Sequence, residues 1–269
     1  MKKSVVKFTC ISALCFSAIF GTGCQSTSAT TGLKDPEKAL KARIDMAAEH
    51  IRAGDLDSAK LALDQALDVN SRHAVANMMM GVLLQQEGSK MSLDQADRYF
   101  KRAVSSDPKS AQIRNNYATY LYQLKRYPEA IEHLTIAGST LGYDQRYRAL
   151  ENLGRIYLEQ GNLEQAEKAF RQALQANRDS VQSMLGLAEI KYLNKDISDA
   201  TNFYDQMVSL VGQNNLNARA LWIGIRLARA NGNDMDMQVA VNQMRAVFPS
   251  SPEYQRYLQL QYSTEAVWK

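Results

Sequence analysis

The chain has 269 residues, 45% of them hydrophobic and 22% charged, with 14 Gly and 5 Pro. That mixture can fill a sizeable core and excludes a wholly disordered, collagen-like or polytopic membrane chain. Lysine and arginine number 32 against 28 acidic residues, but Lys2, Lys3 and Lys7 account for most of the excess, so no nucleic-acid partner is expected.

First in chain order is an export segment. Lys2, Lys3 and Lys7 form a positive start, Phe8 to Phe20 is mostly apolar and too short for a lasting membrane span, and Gly21-Thr22-Gly23 precedes Cys24. Residues 1–23 read as a signal peptide. The arrangement resembles a bacterial lipoprotein box, although Gly21 stands where Leu is usual. The resemblance implies lipidation of Cys24, and Gln25 in place of Asp implies sorting to the outer membrane, anchored on its periplasmic face. Attached acyl chains contribute about 0.8 kcal/mol per buried methylene, which makes a firm anchor. Cys10 and Cys15 fall in the cleaved part, so the mature chain is expected to have neither a disulfide nor a cysteine-metal cluster. Residues 24–36 are small and polar and read as a tether.

From there the pattern is helical and repeats. The segments 59–70, 96–108, 130–140, 166–178 and 200–212 each begin with Ala and carry large and small residues at a 3.6-residue period. Ahead of each lies another helix, over 39–53, 74–86, 111–124, 147–160 and 181–193, and a further pair occupies 218–231 and 234–248. In the best copy, LENLGRIYLEQGNLEQAEKAFRQALQANR, Gly154 and Ala166 are small where paired helices meet, Leu153, Tyr157 and Phe170 fill the groove, and Gly161-Asn162 makes the turn. This copy resembles a tetratricopeptide repeat. Aligned on Gly81, Ala118, Gly154, Gly186 and Gly224, the second and fifth copies have turns about three and two residues longer, and the sixth is stretched. The expected fold is all-α, a right-handed superhelix of about six tetratricopeptide repeats over residues 37–262, with a capping helix at its end and a tail at 263–269.

No catalytic motif stands out. His50, His73 and His133 lie on three different repeats, with no metal-protease motif and no phosphate-binding loop, so neither enzyme activity nor a cofactor or metal is expected. Recognition is expected on the inner surface lined by the first helices. Its candidates are Ile44, Ala48, Met78, Val82, Asn115, Thr119, Tyr122, Glu151, Arg155 and Leu187, with the N-terminal part the more apolar. Asn116 and Asn152 stand where some peptide-clamping repeats hold a ligand backbone, a helix–helix hydrogen bond being the alternative. Glu151 lies one turn from Arg148 and from Arg155 and can neutralise both.

The order of parts and the runs NNYATYLYQLKRYPEA and SPEYQRYL resemble the type IV pilus biogenesis and stability lipoproteins, the PilF/PilW family. The resemblance covers the whole chain. It implies a non-enzymatic outer-membrane adaptor, or pilotin, monomeric when free, whose partner is the pilus secretin and which aids the secretin's localisation and multimer assembly. A repeat scaffold in another envelope or outer-membrane protein assembly machine is the alternative.

Overall fold

A computed structural model describes residues 35–263, so Cys24, the signal segment, nearly all of the tether and the end of the tail, Trp268 included, lie outside the described residues. Among the described residues the chain is a series of helices without strands. The first pair is α1 (Pro36–Ala53) and α2 (Leu56–Val69), followed by α3 (Ala74–Glu87) with α4 (Lys90–Ser106). Then come α5 (Ala111–Gln123) with α6 (Tyr127–Ser139), and α7 (Arg146–Glu159) with α8 (Leu163–Ala176). The last two pairs are α9 (Val181–Leu193) with α10 (Ile197–Val211), and α11 (Ala218–Ala230) with α12 (Asp234–Val247). Pro252–Leu260 forms α13, which packs on α11 and α12 and caps the end.

Each first helix touches the first helix of the next pair, from α1 through α3, α5, α7 and α9 to α11, and these six form one layer. Each second helix packs between its own partner and the next first helix. A solenoid follows, because no pair can bury its apolar face alone.

Five of the six pairs share one turn. The N–H groups of Gly161 and Asn162 donate to the carbonyls of Leu158 and Tyr157, at 3.0 and 2.8 Å, closing α7 with a left-handed residue at Gly161. Gly54, Lys125, Lys195 and Gly232 make the corresponding bonds with φ between 58° and 77°. In Lys125 and Lys195 a side chain occupies a region that costs an L-residue roughly 1–2 kcal/mol, so the turn geometry prevails over residue preference. Asp55, Asn162, Asp196 and Asn233 then cap the second helices by accepting a backbone N–H.

Counting back from this turn corrects the register of the fifth and sixth pairs. Ala188, fully buried, stands seven residues before Lys195 as Gly154 stands seven before Gly161, so the α9–α10 turn has no extra residues. By the same count Ile225, not Gly224, matches Gly154, and the α11–α12 turn is not stretched. Gly186 and Gly224 are small for another reason. A Cβ on Gly186 would lie 2.5 Å from the Phe170 ring of the preceding repeat, and one on Gly224 would strike Tyr204 of the preceding α10. Phe170 is therefore held between Gly154, where a Cβ would come within 2.9 Å, and Gly186.

Candidate functional site

The inner layer presents its third and fourth helices, α5 and α7, as a joined polar surface. Asn152 on α7 donates to the Asn115 side-chain oxygen at 3.4 Å and accepts from Arg155 at 2.8 Å. The Arg155 guanidinium lies over the Tyr122 ring, 4.4 Å from its centre, a cation–π contact between adjacent repeats. The Tyr122 hydroxyl donates to Glu159, which also accepts from Tyr127 at 3.1 Å. Burial, and then this bond to a carboxylate, push the Tyr122 phenol up to about 12. At ordinary pH it stays a donor. Thr119 donates to the backbone carbonyl of Asn115 at 3.0 Å. Nearby, an open cavity of about 900 Å³ is lined by residues that include Arg52, Asn115, Asn116, Tyr143 and Arg148.

Asn152 thus makes the helix–helix bond, while Asn116 donates to the carbonyl of Gln112 on its own helix at 2.9 Å. Glu151 accepts from Ser180 of the following repeat at 2.5 Å. Its carboxyl is raised, chiefly by burial, against that bond and the nearby Arg148 and Arg155, which lower it.

Three inner-surface expectations need correction. Met78 is 2% exposed and Ile44 7%, and both belong to the core. The cause is the contact of α1 with α3 and of α3 with α5, which closes over these positions. Leu187 is fully buried for the corresponding reason in α9. Val82 is half-buried and packs against the core, as does Met79, the one methionine of its trio that is not enclosed. The N-terminal inner surface is accordingly less open and less apolar than its residue types suggest.

Sequence reasoning passed over a second inner cluster, on α9 and α11. Arg226 is 4% exposed, stacked 4.2 Å from the centre of Tyr192 and 5.7 Å from that of Trp222. Glu189 pairs with Arg219 at 2.6 Å and with Arg226 at 3.6 Å. Counted from the turns, Arg226 matches Arg155, and Tyr192 matches Tyr122. The misplaced register hid this. Among the described residues, no three His, Cys, Asp or Glu side chains group as a metal site, and no helix is long and apolar enough to cross a membrane.

Helix pairs, shared turns and small-residue contacts define a tetratricopeptide-repeat protein, and family models for that repeat match residues 109–179 and 151–215. The likeness extends beyond the repeat. Type IV pilus assembly protein PilF of Pseudomonas aeruginosa is 32% identical over 250 residues, covering 91% of this chain and 96% of that protein. A solved structure of P. aeruginosa PilF superposes with a TM-score of 0.75 at 31% identity, covering 83% of this chain and 98% of that one. PilW, a widely conserved type IV pilus biogenesis factor, gives 0.71 at 27% identity over 82% of this chain and 99% of its own. The chain belongs to the PilF/PilW family of tetratricopeptide-repeat proteins.

Proposed function

We propose that this protein is an outer-membrane lipoprotein adaptor, a pilotin. It binds the type IV pilus secretin and promotes the secretin's localisation and multimer assembly, without catalysis. The observation that carries the reading is the 32% identity to a type IV pilus assembly protein across 91% of the chain. The sequence around Cys24 supports the lipid anchor, and the polar surface formed by Asn115, Tyr122, Asn152 and Arg155 offers donors and an aromatic face to an extended segment. Anchoring acts through effective concentration, holding a bound subunit where its ring must assemble.

Two variants of the full chain test this in the producing cell. Cys24→Ser should release the protein from outer-membrane fractions while its circular dichroism stays helical. A combined Val82→Glu and Tyr122→Ala variant gives up the Arg155 contact and should melt somewhat lower, yet while still folded at growth temperature it should lower heat-resistant secretin multimers and raise monomers. Met78 is left intact, because a polar group there would break the core. Normal multimer levels in a folded double variant would remove this surface from the account. Normal secretin assembly after deletion of the whole protein would overturn the pilotin reading in favour of a scaffold for another envelope machine.

A further inference from the structure

The cluster on α9 and α11 has an unbalanced charge. Arg219 and Arg226 share the single carboxylate of Glu189. The corresponding step between α5 and α7 is arranged differently. There Arg155 is met by the neutral Asn152, and the acidic Glu151 and Glu159 stand close by. The Nε of Arg226 is buried without an acceptor, as is that of Arg155, so the two steps differ in the carboxylates around the guanidinium and not in this atom. The Arg226 guanidinium lies 4.2 Å from the centre of the Tyr192 ring and 5.7 Å from that of Trp222. Arg219, by contrast, keeps about a third of its side chain exposed, 33%, and so remains reachable.

We propose that the inner face of the fifth and sixth repeats is a carboxylate subsite, centred on Arg219 and Arg226, for an acidic extended segment of a protein partner. Guanidinium groups match carboxylates with paired hydrogen bonds, and a site with an excess of them beside aromatic rings selects an acidic side chain flanked by apolar ones. The incoming carboxylate takes the outer N–H groups of Arg219, and Glu189 is then left to Arg226 alone. Two arginines sharing one anion become two pairs. The segment is extended, because the inner layer offers a continuous row of helices rather than a closed pocket. This inference goes beyond the secretin reading and does not depend on it.

The test uses the full chain in detergent micelles and fluorescein-labelled peptides of about ten residues, long enough to lie across two repeats. One peptide alternates Glu with Val and the other alternates Gln with Val. Fluorescence anisotropy should show the Glu peptide binding at least about tenfold more tightly, with the advantage shrinking as salt is added. Arg219→Gln, a part-exposed position, should abolish that preference while circular dichroism and melting stay unchanged. Arg148→Gln, the corresponding residue of α7, should leave the preference intact. Equal binding of the two peptides, or a preference that survives Arg219→Gln, would overturn the proposal. So would a preference lost in Arg148→Gln and kept in Arg219→Gln, which would move the site to the fourth repeat. None of these readings involves secretin multimers, so either conclusion can fail without the other.

Discussion

Where the third and fourth repeats meet, Arg155 lies over Tyr122, and the hydroxyl of that tyrosine is bound to Glu159. Where the fifth and sixth meet, Arg226 lies over Tyr192 at nearly the same distance, 4.2 against 4.4 Å, but shares Glu189 with Arg219. The place ten residues before the left-handed turn residue, Glu151 in α7, is taken by Trp222 in α11. One backbone arrangement therefore carries two surfaces of different charge. The repeat fixes where a side chain stands, and only the residue chosen there decides what the surface can hold.

The largest effect expected is on the register that makes this comparison possible. Gly186→Leu would push a side chain into the Phe170 ring and should cost about 3 kcal/mol, lowering the thermal midpoint sharply. A variant that melts like the parent would show that α9 does not meet α8 there, and the register of the fifth repeat, with its match of Tyr192 to Tyr122, would have to be redrawn. Next in size is the arginine pair itself. Arg226→Ala removes a buried charge from beside Glu189 and two rings, and should cost about 2 kcal/mol, softened by the remaining Arg219. Arg155→Ala gives up a contact nearer solvent and should cost about 1 kcal/mol or less. Urea unfolding of both variants measures the difference, and equal losses would mean that the two steps are energetically alike.

The smallest effect is a pH dependence confined to the fourth repeat. Burial raises the Glu151 carboxyl above its ordinary value of 4.5, so the folded state favours the protonated form. No penalty exists below the unfolded carboxyl's range. It grows as pH rises through the folded value, and is complete above it. Glu151→Gln keeps an acceptor for Ser180 and should melt higher than the parent at about pH 8, with the gap closing at about pH 4. A gap independent of pH would assign the effect to packing.

Much of this fold is legible in the sequence because close packing demands small residues at a fixed period. Gly81, Ala118, Gly154 and Ala166 mark their helix contacts plainly. Gly186 misleads because two different contacts, with a repeat's own second helix and with the preceding one, both call for a residue without bulk. The left-handed turn is the better ruler, yet Lys125 and Lys195 conceal it, since lysine gives no hint of a positive φ. Met78 and Ile44 show a second limit. Helical spacing tells which side of a helix a residue is on, whereas its exposure depends on how closely the neighbouring helices stand. The Arg219, Arg226 and Glu189 cluster could have been found from one signal, the recurrence of Arg148 and Arg155 at the same turn-relative places two repeats on.

The apolar interior is not equally tight along the chain. Phe170 and Ala166 on α8, with Leu187 and Ile190 on α9, join the cluster that runs from Leu40 to Ala169 to the one that runs from Met184 to Leu260. In a chain whose stability is a sum of neighbouring contacts, partial opening costs least where successive repeats touch least, which is the step from α9 and α10 to α11. The far end should then breathe first: amide protons of α11 to α13 would exchange ahead of those of α1 to α10, with the Phe170 ring as the latch that keeps the fifth repeat on the fourth.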